Sequence, residues 1–172
     1  MIMMMMDKIV ALTSEMISYF SGDPKRIQHF IKVHAFCALI GKAEQLCEHT
    51  LFVLEAAALV HDIGIKPAER LYGSCGGKLQ EQLGPAEARP ILDKLGFSEE
   101  DTARICFLIS RHHTYTDIDG IDLQILIEAD FLVNLYEDKS SKEAVLSAYR
   151  KIFSTKTGKE LCRKIYGEKL FE

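Results

Sequence analysis

The stretch Leu51 to Ile65, LFVLEAAALVHDIGI, constrains the fold of this chain more than any other. Its first ten residues are core-type sequence interrupted only by Glu55, and His61-Asp62 follows directly. A bilayer span takes ~20 apolar residues, so a run of this length reads as a helix buried in protein. A titratable pair at the end of such a helix costs roughly several kcal/mol unless something pairs with it. A divalent cation would satisfy both groups, because imidazole and carboxylate are ordinary ligands for first-row metals.

Helical periodicity runs through nearly all of the chain. Asp7 to Phe20 carries Ile9, Val10, Leu12, Ile17 and Phe20 as an apolar stripe, ended by Ser21-Gly22. Asp23 is a good N-cap, with Pro24 at the first helical position of a helix expected over Pro24 to Cys47. Thr50 is expected to cap a third helix that stops near Gly64, and Pro67 to Leu83, with its glycines, reads as loop with at most a turn of helix. A short helix follows over Pro85 to Leu95. Another begins at Ser98 with acidic residues in its first turn and delivers His112-His113 after Arg111. Asp122 to Tyr136 is strongly apolar, and helices near Lys142 to Phe153 and Gly158 to Tyr166 close the chain. There is no alternating strand pattern and no Rossmann or P-loop glycine signature. The expected fold is all-α, a single-domain compact helical bundle over 1–172, with its motif-bearing core at about 23–137 and C-terminal helices at about 141–168.

At 172 residues the chain is long enough for one well-buried core. A net charge of −4 argues against a nucleic-acid backbone as partner but leaves room for a small phosphorylated molecule. The five cysteines are scattered without Cys-x-x-Cys spacing, as expected for reduced thiols in the cytoplasm. Met1 to Val10 lacks the layout of a signal peptide, and no run is a membrane span. The apolar C-terminal helices leave a homodimer open.

Acidic and imidazole groups on apolar helix faces are the ones that need explaining. His29 borders the inward stripe of its helix, and Asp130 interrupts ILIEADFLVNL. With His61 and Asp62 they supply two imidazoles and two carboxylates from three helices, an octahedral-type set with positions left for water.

Arg26-Ile27-Gln28-His29 with Val33, then His61-Asp62-Ile63-Gly64, then Glu128-Ala129-Asp130 resembles the H…HD…D pattern of the HD-domain metal-dependent phosphohydrolases. The resemblance spans roughly residues 23–137. It implies a helical bundle in which His29, His61, Asp62 and Asp130 hold a divalent cation (Fe, Mn, Co, Ni or Mg). His34 competes for the first role, but it lies about 140° around the helix from His29. Dinuclear relatives place further histidines at His112-His113 and near a glycine-rich segment, where this chain reads Gln80-Glu81-Gln82-Leu83-Gly84. One metal per chain is therefore expected, with a second site open and Glu81 as a substitute oxygen ligand.

The expected activity is hydrolysis of a phosphate ester or anhydride, with a nucleotide or related small molecule as substrate. Asp62 would orient the attacking water. Lys66 or Arg111, with His112 or His113, would offset charge on the phosphoryl oxygens; Arg26 is a further cation candidate. Two other readings stand beside it: a sensor module that binds nucleotide or metal without turnover, and an oxygenase with two irons.

Overall fold

The computed structural model describes residues 2–172, and every regular element among them is helical. Met1, the first residue of the expected domain, lies outside the described residues. In chain order the helices are α1 (Ile2–Tyr19), α2 (Pro24–Ala43), α3 (Glu48–Val60), α4 (Ile65–Tyr72), α5 (Gly77–Lys94), α6 (Glu99–Ile109), α7 (Gly120–Glu137), α8 (Lys142–Lys151) and α9 (Lys156–Tyr166). A 3-10 turn over Glu168–Phe171 follows them. The architecture is one all-α domain.

The apolar run forms α3, which packs against α1, α2, α6 and α7. Leu54, Ala56, Ala57, Ala58 and Val60 are completely buried, and the three alanines let neighbouring helices approach closely. Side chains from the partners close the core around α3, among them Leu12, Phe30, Ile105 and Leu126. Among the described residues, no helix is long and apolar enough to cross a membrane.

Local capping explains several boundaries. Asp23 Oδ1 accepts from the Arg26 amide at the start of α2, and Ser98 Oγ accepts from the Asp101 amide at the start of α6. Other expected boundaries moved. α2 stops at Ala43 rather than Cys47, and α3 starts from Cys47 as N-cap rather than from Thr50. The largest correction concerns Pro67 to Leu83. Most of this stretch is helical, in α4 and the first part of α5, and α5 runs on through Pro85 and Pro90 to Lys94. Proline costs a helix one hydrogen bond and kinks it, but α5 is held between α1, α4 and α6 and persists. Gly64 permits that packing: a Cβ there would lie 2.5 Å from the carbonyl oxygen of Gln80. This close approach sets α5 directly against the His61-Asp62 turn.

Candidate metal centre

α3 ends at Val60, so His61 and Asp62 occupy the tight turn into α4. The His61 ring is fully buried, with Nδ1 2.8 Å from the carbonyl oxygen of Ala58. A carbonyl only accepts, so Nδ1 carries the hydrogen and Nε2 presents its lone pair. His112 repeats the device in the turn after α6, with Nδ1 2.7 Å from the Ile109 carbonyl. His29, inside α2, has Nδ1 3.0 Å from Glu137 Oε2. The carboxylate again fixes the hydrogen on Nδ1.

The three Nε2 atoms face a shared set of carboxylates. His29 Nε2 and His61 Nε2 lie 3.2 Å apart. Two lone pairs at that separation repel unless a proton or a cation lies between them. Asp130 Oδ1 is 3.2 Å from His29 Nε2 and 3.6 Å from His61 Nε2. Asp62 Oδ2 is 3.4 Å and 3.5 Å from the same two atoms. On its other side, Asp62 Oδ1 faces His112 Nε2 at 3.7 Å, and that buried nitrogen has no hydrogen-bond partner. An orphaned, buried lone pair aimed at a carboxylate is what a ligand looks like before its cation.

The donors fall into two groups, His29 with His61 and Asp130, and Asp62 with His112 and His113; within each, the ligand atoms lie within 4.8 Å of one another. Asp62 reaches towards both, one oxygen to each side. The residues fit a divalent cation at the first group, and the second offers a further position. His113 is held by its surroundings. Its Nε2 lies 3.2 Å from Gln80 Oε1 and its amide donates to Glu81 Oε1 at 2.9 Å. A Cβ at Gly77 would press on the ring at 2.7 Å.

Charge follows from this geometry. Burial alone would lower the pKa of His29, but the hydrogen bond to Asp130 and the charge of Asp62 outweigh it and hold the value at about 9. His61 is raised in the same way, by Asp62 and Asp130 against burial. Burial would raise Asp62, yet His61 and His112 bring it down to about 2. Asp130 is held far below the usual carboxylate range, against burial, by His29 and His61. Burial and the adjacent His112 push His113 down to about 4, so its ring is neutral near pH 7. Without a cation, protons shared with the first pair of histidines must balance the two aspartates.

A cleft of about 430 Å³ opens onto this centre. Asp23, Asp62, Asp130, Glu137 and Asp138 line it against only Lys25 and Arg26. The acidic excess repels an anion until a cation is bound. An apolar groove of about 390 Å³ beside Met6 and Phe52 carries no comparable ligand set.

Several expected residues lie elsewhere. The Lys66 ammonium donates to the Tyr19 carbonyl and sits over the Tyr19 and Phe20 rings, 4.9 and 5.4 Å from their centroids. It is outside the cleft lining because α4 turns its side chain towards α1. Arg111 is also outside the lining, with Nη2 3.5 Å from the Thr116 carbonyl. Arg26 lines the cleft but is paired with Asp23 and Glu69. His34 points to Glu55, 3.2 Å away. Glu81 accepts from His113 and Thr114 and serves as a loop clamp rather than a free ligand.

Sequence reasoning missed Glu137 and Gln80 and gave no role to Asn134. Asn134 Nδ2 donates to Asp130 Oδ1 at 2.8 Å. Asp130, Asn134 and Glu137 stand at i, i+4 and i+7 on α7, so helical spacing could have found the two polar partners. Gln80 sits near where the resemblance asks for a histidine, and only the packing of α5 reveals it.

The HD domain family model matches residues 26–149, which include His29, His61, Asp62, His112, His113 and Asp130. No curated protein matches the chain. Among solved structures, a predicted HD superfamily hydrolase from an uncultured Thermotogales bacterium is similar over 93% of this chain and 84% of that one. The TM-score is 0.63 at 23% sequence identity, a likeness of fold. With the family model covering well over half of its length, and with histidine and aspartate converging where that match lies, this chain belongs to the HD-domain family.

Proposed function

We propose that this chain is a metal-dependent phosphohydrolase acting on a small phosphorylated molecule, with a nucleotide-sized compound as substrate. One observation carries the reading: three imidazole Nε2 atoms and two aspartates converge at the base of a cleft, and one of those nitrogens is buried without a partner. His29, His61, Asp62 and Asp130 would hold the first cation. His112, His113 and the outer oxygen of Asp62 would hold a second. Four imidazoles among the donors favour Mn, Fe, Co or Ni over Mg, which prefers oxygen.

When bound, such ions lower the pKa of a coordinated water and polarise a phosphoryl oxygen. The residues supply the rest. Asp62, facing both groups, accepts a proton or a hydrogen bond from the attacking water. Lys25 at the start of α2 draws the phosphate into an otherwise acidic cleft, beside Arg26, whose guanidinium is held by Asp23 and Glu69. Gln80, which also lines the cleft, offers a hydrogen bond to a remaining oxygen. The cleft volume suits a small ligand and falls within the usual range of such sites.

Metal analysis of anaerobically purified protein, followed by assay against nucleotides and phosphate monoesters, tests this reading. Turnover that is lost in His61→Ala supports it. Tight nucleotide binding with no turnover in any divalent metal would replace it with the sensor reading.

A further inference from the structure

We infer that Glu137, clamped by Lys32, is a positioning residue that fixes His29 as a metal ligand; this rests on the metal-centre reading above. The three inward-facing histidines are oriented by different means. His61 and His112 follow helix ends, and each ring is held by the carbonyl three residues before it. Those partners form automatically when the turn forms. His29 is inside α2, where the carbonyls of the preceding turn are engaged by the helix itself. Its Nδ1 therefore needs an acceptor from another part of the molecule.

Glu137 provides it. One oxygen, Oε2, lies 3.0 Å from His29 Nδ1, and the other accepts from the Lys32 ammonium at 2.5 Å. Lys32 is three residues beyond His29, so both contacts come from one face of α2. Lys32 is itself placed, with its ammonium 5.8 Å from the centroid of the Tyr136 ring. The carboxylate is thus gripped at both oxygens and has little freedom to turn away. Glu137 closes α7, seven residues after Asp130, with Asn134 between them holding Asp130 Oδ1. One helix therefore supplies a ligand, the brace for that ligand, and the brace for a ligand on α2.

The chemistry of the brace differs too. An anionic acceptor polarises an N–H more than a neutral carbonyl does, and this raises the basicity of the opposite ring nitrogen. His29 Nε2 is accordingly the strongest donor of the three, on the side of the centre nearest the cleft. Glu137 also lines that cleft, so its direct participation as a ligand is the rival arrangement to be separated by experiment.

The test uses the full chain, stripped of metal and titrated with Co²⁺ in competition with a chromophoric chelator. Glu137→Ala should weaken Co²⁺ binding by about 10- to 100-fold, the usual cost of losing such a partner. Glu137→Gln should recover most of this loss, because the amide oxygen still accepts from Nδ1–H. In a His29→Gln background, Glu137→Ala should cause no further loss. The visible Co²⁺ bands should shift in Glu137→Ala and remain near wild type in Glu137→Gln. Equal far-UV helicity across the variants shows that the fold is kept, and Glu137→Gln keeps the test valid if the alanine variant unfolds. Affinity unchanged in Glu137→Ala, or the same loss with and without His29, would overturn the inference. So would a loss in Glu137→Gln as large as in Glu137→Ala, which would make Glu137 a ligand. If wild-type protein binds no Co²⁺, Mn²⁺ or Fe²⁺, the metal-centre reading fails as well, a result distinct from a failure of Glu137 alone.

Discussion

Glu128 and Asp130 are two carboxylates on the same helix, two residues apart, and both are buried. Their surroundings differ completely. Glu128 Oε1 accepts from Gln124 Nε2 at 2.7 Å and from the amides of Ser154 and Thr155 at 2.6 and 2.8 Å. Its Oε2 accepts from the Thr155 hydroxyl. Every charge-bearing oxygen is satisfied by the protein, and the group ties the α8–α9 junction to α7. Asp130, about 200° around the helix, has one amide donor in Asn134 and otherwise faces the Nε2 atoms of His29 and His61, which reach it only through a shared proton or a cation. Burial of a charge does not identify a functional group. A buried charge with too few donors does.

The sharpest way to break this contrast is to remove the charge at each position. Asp130→Asn should bring metal content and turnover to background while the fold persists, checked by metal analysis and circular dichroism. A variant that keeps its metal would show that Asp130 is structural after all. Glu128→Ala should do the reverse. It strands several buried donors and should lower stability by about 3 kcal/mol, measured by urea unfolding, while the folded protein binds the same metal complement as wild type. A lost metal with unchanged stability would erase the distinction between the two acids.

The second donor group sharpens the comparison further. His113→Ala should lower metal stoichiometry and turnover but leave the first cation bound, because His29, His61 and Asp130 form their own set. If both metals leave together, the two groups act as one. The smallest effect concerns Lys66. Lys66→Met should cost about 1 kcal/mol of stability through its lost contacts with the Tyr19 carbonyl and rings, with kcat unchanged. A fall in kcat with no change in Tm would return Lys66 to the substrate.

Much of the candidate site was legible in the chain because its members violate an apolar pattern. His61-Asp62 ends the most hydrophobic run, and Asp130 breaks the second most hydrophobic one. The cations were not legible. Lys66, Arg111 and Arg26 are long, flexible side chains, and where their charges go depends on which carbonyl or carboxylate packing brings near. Gln80 and the helix around it were hidden by a local rule, since proline and clustered glycine are good loop signals until neighbouring helices hold the segment helical.

The sequence by itself determined that this chain is helical and that its most apolar run is buried, and it marked His61-Asp62 and Asp130 as charges in apolar surroundings; their grouping with His29 came from the resemblance to the HD-domain pattern. Periodicity and the cost of burying charge are local properties, readable one segment at a time. Only the tertiary structure decided which imidazole nitrogens face inward, that Asp62 stands between two donor groups, and that Glu137 meets His29 on another helix. Those outcomes depend on hydrogen bonds between segments as many as 108 positions apart in the chain. No local pattern encodes contacts at that separation.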